Sequence, residues 1–451
     1  MDEAEITPLK NFDNKLQKFY YDVISKEVDL KIMWKAHSIR RALTEVVKAY
    51  KKRPRRKSDI RFDTPYRRCA YLLKHSPCFT SAVAKYFHTL VSGRQDLIKN
   101  AFENGTLAIC CLGGGPATDA VALVHIIRYL YEPYWRKYRK TLKISITVVD
   151  ISEEWQETAR NVLECLQTTP EFFGDGELTL TYDFLTADLT KEMSKDLKAA
   201  IKSADIVTMI YFLSAVTGTR GRETSENMVE RIMLQMKKGA CVFFLDSAVD
   251  KHYEILNKAS EKRNVMQQIY GPLVEEFHTI SIESVQHFID LYSKHFFRLI
   301  CMTHMFFCVS AWLKPKIKEK RKYIIRELLD APPPLWKKPT EKESADLTEK
   351  MKMFRSTVFR LLNKRFNSSN KVNSCNGCKR DIPRQCGKNE YQKYSRNTSD
   401  FARSTNFRNA DLWKSDPSNN IDRNFRKTVS ANDIDFERPR NFGKNKLAKL
   451  Q

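Results

Sequence analysis

The densest concentration of conformationally permissive residues is CCLGGGPATDAV, residues 110–121, which places three consecutive glycines and a proline in a chain with only 14 glycines among 451 residues. The run LAICCL before the glycines (107–112) has the length and composition of a buried central strand, and residues 116–131 after them carry apolar side chains at helical spacing. A strand that ends in glycines and opens a helix has a chemical use. Glycines turn tightly and admit a ligand against bare backbone, Pro116 suits a first helical position, and the free N–H groups of a helix N-terminus attract an electronegative group. Spacing separates the users of this device. A phosphate-binding P-loop requires Lys followed by Ser or Thr after the last glycine, whereas this chain reads PATDAV. A dinucleotide fingerprint beginning at Gly113 and Gly115 requires Gly or Ala at the position of Thr118.

Acids at other strand ends supply complementary chemistry. Residues 143–150 (KISITVVD) are β-branched and end on Asp150, whose carboxylate can accept two hydrogen bonds from a vicinal diol or can cap the helix that follows. In FLTADLT (184–190), Asp188 can accept from an exocyclic amine or serve as an ordinary turn aspartate. Asp119 lies in the first turn after the glycines, where a carboxylate favours the positive end of a helix dipole.

Quoted together, LAICCLGGGPATDAVAL, ITVVDISEEW, FLTADLT and DIVTMIYFLSAV resemble the class I S-adenosylmethionine-dependent methyltransferases, over roughly residues 105–313. The resemblance implies a Rossmann-like α/β sheet with helices on both faces and S-adenosyl-L-methionine as cofactor. It implies that Gly113, Gly114 and Gly115 lie against the methionine part of the cofactor, that Asp150, with Ile151 beside it, binds the ribose hydroxyls, and that Asp188 and Leu189 contact the adenine. Tyr211, with Phe212 and Ser214, falls where the methyl-transfer pocket is lined, and Asp119 is within reach of the cofactor's amino group. Two positions depart from the pattern: Cys111 stands where family members carry an acid, for which Asp119 compensates, and Ala117 stands where they carry a third alternate glycine. Gly113 and Asp150 are also 37 positions apart (150 minus 113), against about 20 in the dinucleotide unit. The segment YEPYWRKYRKT (131–141) accounts for the excess; its aromatic and basic composition suits a substrate-facing patch and a solvated helix extension equally. No catalytic residue stands out, because IYFLSAV occupies the place where amino-methyltransferases of nucleic acids carry (Asn/Asp)-Pro-Pro-(Tyr/Phe).

These residues need a scaffold, and the pattern supplies one. Apolar spacing predicts two helices within residues 13–50 and more helix over 66–91, a helical N-terminal extension over residues 1–104. Strands are expected at 107–112, 143–150, 178–182, 205–212 and 240–246, with helices at 152–166 (Ser152 as N-cap), 191–202 and 226–237, which argues for a parallel sheet covered on both faces. Residues 297–313 (FRLICMTHMFFCVSAWL) read as a strand closing the sheet at an edge, with a buried helix as the alternative. The Rossmann-like domain then spans 105–315, a basic and helical appendage 316–366 with a helix over 349–366, and a tail 367–451 has too few aliphatics to offset the entropy of ordering, so a disordered basic tail is expected.

The formal charge of +24 favours an acidic partner. Residues 351–451 hold 23 Lys and Arg against 9 Asp and Glu, so +14 lies in this last part and +10 in the rest. KKRPRRK (51–57) fits a nuclear import signal, a phosphate-contacting patch or a solvated linker. Most cysteines sit in apolar runs, which implies a reducing, intracellular compartment, cytoplasm or nucleus, and no stretch approaches the roughly 18 apolar residues of a membrane helix. Cys375, Cys378 and Cys386 supply three thiols where a structural zinc wants four ligands, so no metal is expected. The leading reading is an S-adenosylmethionine-dependent methyltransferase acting on RNA. A non-catalytic cofactor-binding sensor or scaffold, and a protein or small-molecule methyltransferase, are the alternatives; the oligomeric state is left open.

Overall fold

The computed structural model describes residues 7–30, 32–51, 61–248, 251–263, 265–292 and 301–316, with single helical positions between 349 and 361. These fall within one compact unit, residues 1–373. Residues 52–57 of the basic run, the appendage from 317, the three tail cysteines and the tail 367–451 lie outside the described residues, apart from those single positions.

Five helices come first: α1 (Phe12–Glu27), α2 (Met33–Lys51), α3 (Pro65–Lys74), α4 (Ser76–Gly93) and α5 (Asp96–Asn104). Thr64 starts α3 as its N-cap, accepting from the Arg67 N–H with Pro65 in the first turn, where a missing N–H costs nothing. Then follow β1 (Thr106–Leu112), α6 (Thr118–Tyr138), β2 (Leu142–Asp150), α7 (Trp155–Gln167), α8 (Pro170–Phe173), β3 (Leu178–Thr186), α9 (Lys195–Ser203) and β4 (Ile206–Ile210). The chain continues through α10 (Phe212–Arg220), α11 (Arg222–Gln235), β5 (Cys241–Ser247), α12 (Tyr253–Arg263), β6 (Gln267–Thr279), α13 (Ile282–Tyr292) and β7 (His304–Leu313).

The seven strands lie in the order β3-β2-β1-β4-β5-β7-β6, the first five parallel and β7 antiparallel to both of its neighbours. Alternate side chains of the central strands enter two different cores. Cys110, Leu112, Val207, Met209, Val242 and Phe244 pack with α9, α11 and α12 on one face. On the other face Phe87 of α4 meets Phe243 edge-on, 5.6 Å between ring centroids. Burial on both faces is why these strands read as continuous apolar runs.

The N-terminal helices pack into the same body as the sheet. Tyr86 donates to Glu276 of β6, His278 of β6 meets Ser81 at 3.0 Å, and Arg68, with Glu27, is tied to Thr158 of α7. Three expectations are corrected here. The strand expected at the sheet edge, β7, lies inside it, and the edge is β6 (residues 297–300 lie outside the described residues). Pro116 is not a first helical residue, because Ala117 turns into the left-handed region (φ 61°) and α6 starts at Thr118. Ser152 does not cap α7, which begins three residues later at Trp155.

Candidate functional site

The loop after β1 is stitched to the end of β2. Gly113 and Gly114 both donate to the Val149 carbonyl, at 2.8 and 3.2 Å, and Ala117 N–H closes a turn onto the Gly114 carbonyl at 2.7 Å. The three glycines are there for different reasons. A Cβ on Gly113 would stand 2.4 Å from the Phe212 ring, and one on Gly114 2.9 Å from Cys111 Cβ, so the protein's own packing accounts for two of them. Gly115 (φ 44°) faces Asp150 and Trp155, both 3.7 Å from where its Cβ would be. Gly113→Ala combines a left-handed conformation (φ 66°) with displacement of Phe212. It is expected to lower unfolding free energy by about 2 kcal/mol in urea titration.

Asp150 sits at the centre of this arrangement. One carboxylate oxygen accepts the Gly115 N–H and the other the Ser152 N–H, each at 3.0 Å. Burial pushes its carboxyl above the ordinary range, while those backbone N–H groups pull the other way. A carboxylate has about four acceptor sites, so capacity remains after the N–H groups of Ser152, Gly115 and Ile151 are served. A carboxylate with acceptor capacity left can take a hydroxyl of a vicinal diol. Beside it Ile151, a large apolar side chain, is 61% exposed and offers a surface to a flat ring. This set fits an adenosine, which joins a diol to a heterocycle.

The other sequence candidates divide. Asp188 makes an Asx turn, accepting from the Thr190 N–H at 3.0 Å and from its hydroxyl. Burial would raise its carboxyl, but these bonds and the Arg220 and Lys191 charges hold it below the ordinary value. Leu189 is buried in the core among Met193 and Leu197, so only its backbone faces the loop. Asp119 is also buried, with one oxygen on the Thr208 hydroxyl and the other on the Ala120 N–H, next to the Cys111 thiol. A carboxylate is thus delivered to Cys111 from α6, and it locks the first turn of α6 to β4.

The tip of β4 departs from expectation. Tyr211 and Phe212 are not strand residues: Tyr211 is left-handed (φ 52°) and Phe212 opens α10, whose first turn receives Asp246 through the Ser214 N–H at 2.9 Å. Tyr211 stacks on Phe79 with ring centroids 4.5 Å apart and planes 8° apart, and donates to the Phe306 carbonyl. A row of rings runs from there to Trp155, through Phe79, His75 and Tyr71. Phe62 closes on Trp155 at 4.6 Å. Residues from the N-terminal helices therefore wall the glycine loop between the ends of β2 and β4. The sequence reading missed this wall; its signal was the aromatic spacing in YRRCAYLLKHSPCF, residues 66–79.

A family model described as "Putative SAM-dependent methyltransferase" matches residues 31–294, which take in this wall and strands β1 to β6. No curated protein sequence matches the chain. Solved structures are similar in part. Magnesium protoporphyrin IX methyltransferase from Synechocystis PCC 6803, with bound SAM, aligns over 53% of this chain and 84% of its own at 12% identity and a TM-score of 0.28. An arsenic (III) S-adenosylmethionine methyltransferase from Chlamydomonas reinhardtii aligns over 47% and 64% at 14% identity and 0.26. An rRNA methylase from Streptococcus thermophilus aligns over 47% and 88% at 7% identity and 0.25.

Proposed function

The chain belongs to the family of SAM-dependent methyltransferases that its residues 31–294 match, and from that premise we propose that it methylates RNA. The cofactor when bound supplies an electrophilic methyl group, so the chain's own residues have to bind, orient and exclude water. Asp150 would hold the ribose hydroxyls, with Ile151 against the adenine and the backbone at Asp188 and Leu189 along its edge. Gly113, Gly114 and Gly115 would border the methionine end, and Asp119 would hold the α6 first turn in place rather than touch the ligand. Tyr211, stacked on Phe79, would close the pocket where the acceptor enters.

The observation that carries the RNA reading is charge. A surplus of 24 positive charges favours a polyanion over a porphyrin-sized or metalloid acceptor, because phosphate contacts supply affinity independent of sequence. Among the described residues no helix is long and apolar enough to cross a membrane. The test is incubation of the full chain with methyl-labelled cofactor and separated cellular RNA and protein fractions. Label in RNA is the expected result. Label confined to protein overturns the substrate, and label in neither fraction favours a cofactor-binding scaffold.

A further inference from the structure

The segment 131–141 lies at the opposite end of the sheet from the candidate site. Helix α6 runs back from the glycine loop for 21 residues, about 30 Å at 1.5 Å per residue. Just past its far end, Lys140 Nζ donates to the Glu103 carbonyl at the end of α5 at 2.7 Å, and Lys143 of β2 is in register with Thr106 of β1. Aromatic rings climb this end of the helix from core to surface. Phe102 meets Tyr131 at 4.8 Å, Tyr131 stacks on Tyr134 at 5.4 Å, and Tyr134 meets Tyr138 at 4.4 Å. Tyr138 is 52% exposed. Arg139, left-handed at φ 52°, caps the helix and lays its guanidinium 4.6 Å from the centre of the Trp135 ring, while Lys137 sits 4.9 Å from that of Tyr138. Among the described residues Lys137, Arg139 and Lys143 form no ion pair; Arg136 pairs with Glu132.

We infer that this end of α6 is a docking surface for single-stranded RNA, with bases on Tyr138 and Trp135 and phosphates on Lys137, Arg139 and Lys143. The inference rests on the RNA reading above and adds where the strand is held. An exposed ring, Tyr138, beside half-buried Trp135 and among cations that form no ion pair suits a single strand, since every base has a face to stack and every linkage a charge to neutralise. A purely solvated helix end accounts for the cations and not for the exposed Tyr138 ring at the end of the ladder. The distance has a consequence: about 30 Å corresponds to roughly nine stacked nucleotides at about 3.4 Å each, so only longer RNA reaches both surfaces.

The experiment uses the full chain, a mixed-sequence 30-nucleotide single-stranded RNA carrying 4-thiouridine, and an 8-nucleotide control. Photo-crosslinks are expected in the peptide containing Trp135 and Tyr138. Lys137→Glu with Arg139→Glu is expected to weaken 30-mer binding at least tenfold and flatten its salt slope by about 1.4. Tyr138→Ala, at an exposed position, is expected to weaken it at least threefold, and both variants should also weaken 8-mer binding, since an 8-mer fits this surface alone, while leaving cofactor binding within twofold. Crosslinks confined to other peptides together with unchanged 30-mer binding overturn the surface. So does binding of phosphatidylserine vesicles, and not RNA, that the same variants abolish. If these RNA results hold and no label enters RNA in the transfer assay, the surface stands and the substrate reading falls.

Discussion

Asp150→Asn is expected to raise the dissociation constant for S-adenosylmethionine about 100-fold while the chain stays folded. The carboxylate accepts one backbone N–H on each oxygen, from Gly115 and Ser152. Acceptor capacity remains on the carboxylate, and the diol would take it. An amide has a single oxygen, which must then choose between a loop N–H and the ligand, and its NH2 group faces a backbone donor. Hydrogen bonds to a charged group are worth about 1.5–3 kcal/mol, and losing most of that amounts to about 100-fold in affinity. Titration calorimetry with the cofactor and with its demethylated product measures it. Equal affinity in wild type and variant would remove Asp150 from the site and with it the diol assignment. Ile151→Ser separates the neighbouring contribution: it removes exposed apolar area and leaves both carboxylate oxygens in place.

What the sequence could convey followed from burial. Runs 107–112 and 240–246 are apolar on both faces because helices cover both sides of the strands, so they stand out without any periodicity, whereas 143–150 (KISITVVD) alternates, with Lys143 and Ser145 exposed. Edge strand β6 (QQIYGPLVEEFHT) escaped for the converse reason. It is half-buried, carries Gly271 and Pro272 in its middle, and its register with β7 shifts three times, so it presents turn chemistry where a strand lies. At the tip of β4 the run DIVTMIYF continues apolar past the strand, since Phe212 is buried as the first residue of a helix; composition alone cannot mark where the backbone turns. The glycine loop was legible as a feature while its cause was only partly so, because the demand on Gly113 comes from Phe212, 99 positions away (212 minus 113). The aromatic wall joins residues 62, 71, 75, 79, 155 and 211, a grouping that exists only after folding.

Acidification should unfold this protein through two buried histidines. His125 of α6 is 5% exposed, stacked on Phe12 and bonded through Nε2 to the Pro8 carbonyl; His278 of β6 is equally buried, against Ser81. Burial pushes the first down to about 4 and the second to about 3. The unfolded chain, with histidines near 6.5, binds protons that the folded one refuses. Their stabilising effect is therefore complete above about pH 6.5 and is lost as pH falls from there toward 4. At pH 5 each contributes a loss of about 2 kcal/mol, from 1.5 pH units at 1.36 kcal/mol each. Buried carboxyls such as Asp119 and Asp246 act with the opposite sign, because burial raises them, so the total slope alone does not isolate the histidines. Substitution does. In urea titrations between pH 6.5 and 5, His278→Gln and His125→Gln should each remove about one proton, near 1.4 kcal/mol per pH unit, from the pH dependence of unfolding. An unchanged slope in both variants would mean that these rings accept protons in the folded state, contrary to the dry packing between the N-terminal helices and the sheet on which the wall over the glycine loop depends.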